Sequence, residues 1–141
     1  KPILCIGETA HERAAGETRD VLHDQLLGGL ANVTSEEMGE ITIAYEPVWA
    51  LSNGANYAEH KVPTPDDLKR AVAAIRSQIA HLYGKKASEE VRILYGGSTN
   101  GSNATSFLSV DGINGLLVGG ASLNQHEFVQ IIEAAHGTEE K

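Results

Sequence analysis

The chain has 141 residues and 41% hydrophobic content, enough for one domain with a real core and unlike the composition of a disordered segment. Its formal net charge of -8 argues against a nucleic-acid surface or a basic membrane face, but not against a small anion held by backbone N–H groups. The single cysteine, Cys5, excludes a disulfide framework and a Cys-rich zinc site and points to a reducing, cytoplasmic setting, and no apolar run approaches the ~18 residues of a membrane span.

Ile3 to Ile6 is a short apolar run closed by Gly7, with no leader pattern before it. A chain that opens directly on a buried strand suggests a missing upstream portion. Val21, Leu22, Leu26, Leu30 and Val33 share one helix face. Ile41 to Tyr45 is a second strand, stopped by Glu46-Pro47. After a polar loop, Leu68, Val72, Ile75, Ile79 and Leu82 mark a long helix. Thr64 is placed to cap it, Pro65 suits its first position, and Asp66 and Asp67 favour its positive end. Val91 to Tyr95 forms a third strand ending in Gly96-Gly97, and a small helix follows near Asn103 to Leu108. Leu116 to Val118 is the fourth strand, ending in Gly119-Gly120. Asn124 caps a last helix with Glu127 as capping-box partner and Phe128, Ile131, Ile132 and Ala135 on its apolar face, and residues 137–141 are expected to fray.

The pattern is βαβαβαβα, an α/β arrangement of about 35 residues per unit, which implies a parallel sheet with right-handed crossovers. Two architectures fit it: an open doubly wound sheet, or half of an eight-stranded barrel of ~250 residues. Either one places its chemistry at the C-terminal ends of the strands. There, two Gly-Gly pairs are each followed closely by a serine and a helix. Gly97, Ser98, Gly119 and Gly120 therefore read as a phosphate cradle, because glycine lets the backbone approach a ligand and turn its N–H groups inward. The plainer reading is that they only make tight strand-to-helix turns. Glu46, at a strand end before Pro47, is placed to act as a base; the plainer reading is a salt-bridged carboxylate.

The string Ala44-Tyr45-Glu46-Pro47-Val48-Trp49-Ala50 resembles the signature around the catalytic glutamate of triosephosphate isomerases. Cys5 to Glu8 resembles the end of that family's fifth strand, Tyr95 to Ser98 its loop after strand seven, and Leu117 to Leu123 its strand eight and phosphate loop. The landmarks come in the family's order across nearly the whole chain, yet cover only the second half of a TIM (β/α)8 barrel. The resemblance implies a four-unit half barrel, a single domain over residues 1–141 that forms the C-terminal half. It implies interconversion of glyceraldehyde 3-phosphate and dihydroxyacetone phosphate in glycolysis and gluconeogenesis, with Glu46 as base and no metal or organic cofactor. Ser52, Ser98, Gly119 and Gly120 would hold the substrate phosphate; Cys5, Tyr95 and Gly97 would support the site. The partners it implies are a triose phosphate, a complementary N-terminal half barrel, and a second subunit in a homodimer once the barrel is complete, with no nucleic acid or membrane.

Two departures qualify this. The family's lysine and electrophilic histidine belong to strands one and four, and His11, His23, His60, His81, His126, His136 and Lys1 do not match them. The chain alone is therefore expected to be nearly inactive. The segment after Ala50 is also about six residues longer than the family's lid, with Ser52 in place of a glycine; loop-closure entropy for such an insertion is well under ~1 kcal/mol. Two other readings stay open: a non-catalytic half barrel that binds phosphate or assembles with a partner, and another phosphate-binding barrel enzyme such as a sugar-phosphate epimerase.

Overall fold

Each apolar run becomes a strand: β1 (Ile3–Ile6), β2 (Thr42–Tyr45), β3 (Arg92–Tyr95) and β4 (Gly115–Leu116). The computed structural model describes residues 1–51 and 61–139. The strands form one parallel sheet in the order β1-β2-β3-β4, with Cys5 opposite Ala44, Ala44 opposite Leu94, and Leu94 opposite Gly115. Because strand side chains alternate, Leu4, Ile6, Ile43, Tyr45, Ile93 and Tyr95 point into the core shared with the helices. Ile3, Cys5 and Arg92 lie on the opposite face and are exposed. A doubly wound sheet would reverse its strand order and carry helices on both faces. Sequential order with one covered face is the barrel arrangement, so the fold is α/β of the TIM (β/α)8 barrel family, present as a (βα)4 half barrel.

The connections hold seven helices among the described residues: α1 (Ala10–Ala14), α2 (Thr18–Gly29), α3 (Ser35–Met38), α4 (Pro65–Tyr83), α5 (Lys85–Glu90), α6 (Ala104–Leu108) and α7 (Gln125–Glu139). Burial of Leu22 and Leu26 on α2, and of Leu68, Val72, Ile75 and Ile79 on α4, fixes the helix layer, at about 1.5–3 kcal/mol per large side chain. The cap on α4 is the expected one: Thr64 Oγ1 accepts from the Asp67 N–H at 3.2 Å, and the Asp67 carboxylate accepts from the Thr64 N–H at 2.9 Å. The short α1 and α3 were not anticipated, although Thr9 with Glu12 and Thr34 with Glu37 form complete capping boxes.

Several expectations need correcting. α2 stops at Gly29, and Val33 lies beyond it, past Asn32 at φ 66°. β4 runs only over Gly115–Leu116; Leu117 still donates its N–H to Tyr95 O at 2.8 Å, and Val118 lies beyond the strand. α7 continues through Gly137 to Glu139. Asn124 does cap it, its side-chain oxygen accepting from the Glu127 N–H at 3.2 Å. The Glu127 carboxylate, however, accepts from the Gly101 N–H at 2.8 Å and so ties α7 to the loop after β3. The apolar face of α7 is also not a core face: Ile131 is buried, whereas Phe128 and Ile132 are exposed.

Candidate active site

Glu46 is delivered by the end of β2. Its N–H donates to Ile6 O at 2.7 Å, and the Gly96 N–H donates to Tyr45 O at 2.9 Å, so the residue sits between the ends of β1 and β3. Pro47 has no N–H to continue the ladder, and Val48–Ala50 turn away in a single 3-10 turn. Two glycines make room for Glu46. A Cβ at Gly7 would lie 1.9 Å from the Glu46 carbonyl oxygen, and a Cβ at Gly96 would lie 2.6 Å from its side-chain Cγ and Oε1. The sequence places Gly7 and Gly96 at strand ends and in the strings that resemble the family, but assigns neither to the seating of Glu46. The usable signal was a Gly at the end of each strand flanking β2.

The frame beneath Glu46 was also missed. Glu8 is buried, and its carboxylate accepts from the Tyr45 hydroxyl at 3.1 Å and from Trp49 Nε1 at 2.9 Å, while the Val48 N–H donates to the Glu8 carbonyl at 2.9 Å. Glu8 thereby fixes the residues on both sides of Glu46. Burial first, and then the Glu8 carboxylate, push the Tyr45 phenol above its ordinary range. Burial alone does the same for Tyr95, whose ring packs on Phe107 at a centroid distance of 4.5 Å. The Tyr95 hydroxyl fills the space a Cβ at Gly97 would need, at 1.8 Å. Gly97 is thus a glycine because Tyr95 lies beneath it, whatever it does for a ligand. Cys5 is exposed on the open face; its thiol is raised by partial desolvation, then by the charge of Glu46 and a hydrogen bond to it.

A cleft of about 750 Å³ brings Glu46, Gly97, Ser98, Gly119 and Gly120 together. A Cβ at Gly119 or Gly120 would meet nothing within 4 Å among the described residues, which leave that turn open. Ser122 closes it from behind, its N–H and hydroxyl both donating to Gly119 O, at 2.9 and 2.7 Å. Ser98 lines the cleft, but its N–H and hydroxyl both donate to Ala50 O, at 3.3 and 3.0 Å, which latches the loop after β3 to the turn after Glu46. Asn103 braces the same loop, its Nδ2 donating to Ser98 O at 3.1 Å and its Oδ1 accepting from the Asn100 N–H at 2.8 Å. Ser52 and His60, together with most of the extended lid, lie outside the described residues. Among the described residues, the lining holds two carboxylates, Glu46 and Glu127, and no Lys, Arg or His.

A strand-end glutamate facing an open glycine turn suits proton transfer on a small anion, and comparison with known proteins narrows the class. The family model described as triosephosphate isomerase matches residues 1–135. The chain belongs to the triosephosphate isomerase family.

Among similar proteins, the triosephosphate isomerase of Alkaliphilus oremlandii is 47% identical over 132 residues, 94% of this chain and 51% of that protein. That of Lawsonia intracellularis is also 47% identical over 132 residues, and that of Chloroherpeton thalassium is 42% identical over 133. In both cases the match covers 94% of this chain and 50% of the relative. The chain spans about half the length of the curated relatives it matches. Among the described residues, no helix is long and apolar enough to cross a membrane.

Proposed function

We propose that the chain is the C-terminal, base-bearing half of a triosephosphate isomerase barrel, a single domain over residues 1–141. With the first four strands in place, it interconverts glyceraldehyde 3-phosphate and dihydroxyacetone phosphate, serving glycolysis and gluconeogenesis in the cytoplasm as a homodimer. The observation that carries this reading is that Glu46 and the Gly119-Gly120 turn, which no described residue obstructs, line one cleft. The Glu46 carboxylate takes a proton from the carbon beside the carbonyl. The C–H electron pair becomes the double bond of an enediolate, and the carbonyl oxygen gains the negative charge. The hydroxyl proton on the second oxygen then passes to the first, and Glu46 returns its proton to the neighbouring carbon, so that the second oxygen becomes the carbonyl. The N–H groups of the glycine turn hold the phosphate and keep the carbon chain in line with Glu46. Ser52 contributes a further N–H, and Cys5, Tyr95 and Gly97 support the walls.

Among the described residues the cleft offers the enediolate oxygen no cation. The electrophile therefore comes from the complementary half barrel, and its absence alone costs a factor of about 10²–10³ in rate. With the family shown, the epimerase reading is set aside. The lack of a cation among the described lining residues favours one second reading, a phosphate-binding assembly partner that catalyses nothing.

The deciding experiment supplies the chain with a polypeptide equivalent to the first four βα units of a relative and assays triose phosphate isomerisation. Activity should appear on mixing and fall by at least about 10³-fold with Glu46→Gln. Binding of the two halves without turnover would establish the second reading. Full activity from the 141-residue chain alone would overturn the claim of incompleteness.

A further inference from the structure

On the helix side of the sheet, away from the Glu46 cleft, a second cavity of about 540 Å³ opens between α1, the start of α2 and α4. Its floor is small and apolar, made by Ala71, Ala73 and Ala74 of α4, and one wall is Trp49. Arg13, Arg19 and Arg70 surround it. Two carboxylates also reach it, but both are engaged. The Asp67 carboxylate lies 3.2 Å from the Arg13 guanidinium and 3.0 Å from that of Arg70. Glu8 spends its oxygens on Tyr45 and Trp49. Arg13 also stacks on the Trp49 ring, 3.8 Å from its centroid, which leaves a planar cationic surface beside an alanine floor. Arg19 makes no ion pair among the described residues.

We propose that this cavity is a second ligand site, for a small anion with a flat apolar body, of the aryl carboxylate class. The ring lies on the alanine floor against Trp49 and Arg13, and the carboxylate pairs with Arg19 and Arg70 at the rim. Guanidinium groups suit this role because they pair with carboxylates through two parallel N–H bonds and stack on flat π systems. An apolar cleft with a few convergent charges is the usual make-up of a small-molecule site. The occupant would also touch the Trp49 ring, whose N–H bonds the same Glu8 that holds Tyr45, so the site adjoins the frame of Glu46 without sharing its cleft.

Trp49 is the chain's single tryptophan, so its emission reports on this cavity whether or not the chain self-associates. The probe is 4-nitrobenzoate, whose nitroaryl ring quenches indole emission on contact, with 4-nitrobenzyl alcohol as the neutral control. The acid should quench saturably below about 10 mM, whereas the alcohol should quench only collisionally. Arg19→Ala with Arg70→Ala should weaken binding by about tenfold or more. Arg19→Ala alone breaks no ion pair among the described residues, and should account for part of that loss with the far-UV circular dichroism unchanged. A large excess of inorganic phosphate should leave the quenching in place. Non-saturable quenching, equal saturable quenching by the alcohol, indifference to both arginine variants, or displacement by phosphate would each overturn the proposal.

Discussion

The Glu46 side chain lies against the bare Cα of Gly96, so close that a methyl group there would fall 2.6 Å from Oε1. On the other side Gly7 faces the Glu46 carbonyl, where a methyl group would fall 1.9 Å from the oxygen. The two contacts differ in what can yield. At Gly96 the obstacle is the end of a flexible side chain; at Gly7 it is backbone, held by the bond from the Glu46 N–H to Ile6 O.

Gly96→Ala should therefore cost less than about 1.5 kcal/mol in urea melts but displace the base, lowering kcat of the assembled enzyme by about tenfold or more with little change in KM. Gly7→Ala should cost about 3 kcal/mol or more in the same melts, because the end of β1 must move away from β2. Equal stability losses from the two variants would show that Glu46 is not seated between them in this way.

The contrast also indicates how much the sequence could reveal. Helix positions with strong signals, such as Thr64 capping α4, were legible because the information is local. The candidate site was legible through residue types at strand ends, which found Glu46 and the two glycine pairs but could not divide their labour. Gly96 and Gly97 answer to Glu46 and Tyr95, whereas Gly119 and Gly120 meet no described residue, and only three-dimensional contact separates those roles. Glu8 has no role in the sequence beyond its place in the Cys5–Glu8 string, since its two partners lie 37 and 41 positions away. The α7 stripe misled for the opposite reason. Its helical period is real, but period says nothing about what lies opposite, and the described residues leave Phe128 and Ile132 partly exposed.

Glu8 is an acceptor for two donors in a nearly water-free setting, with 1% of its surface exposed. Glu8→Ala strands the Tyr45 hydroxyl and the Trp49 N–H together and should cost about 3 kcal/mol or more by chemical denaturation. Glu8→Gln keeps the shape and one acceptor oxygen, so it should recover a substantial part of that loss. If both variants unfold at the wild-type midpoint, the buried carboxylate is not what holds the turn after Glu46.

Asp67 gives stability a dependence on acid. Burial would raise its carboxyl, but the Thr64 N–H and hydroxyl, the Arg70 guanidinium and the charge of Arg13 outweigh it and hold the group at about 2, below the ordinary 3.8. Because the folded value is the lower one, the stabilisation is present above about pH 4 and is lost as pH falls towards 2. Asp67→Asn should flatten the stability profile between those limits and lower stability at neutral pH. Unfolding free energies measured at intervals from pH 5 to about pH 2 give the two slopes directly. An unchanged slope in the variant would assign the acid response to other groups.

The open side of the sheet sets the behaviour of the chain on its own. Ile3 is 46% exposed on the face that bears no helices, and on α7 Val129 is 44% and Ile132 53% exposed. The β1 and β4 edges have no further strand to pair with among the described residues. Apolar area at these places, next to unpaired strand edges, favours association. The isolated chain should therefore sediment as more than a monomer, or precipitate as concentration rises. Ile132→Glu and Ile3→Glu should each shift the distribution towards monomer, because a charge at either place opposes burial. The same substitutions should weaken capture of a complementary half barrel, if that half covers the same surfaces. A monodisperse monomer with a cooperative melt, unaltered by either glutamate, would mean that these surfaces need no cover at all.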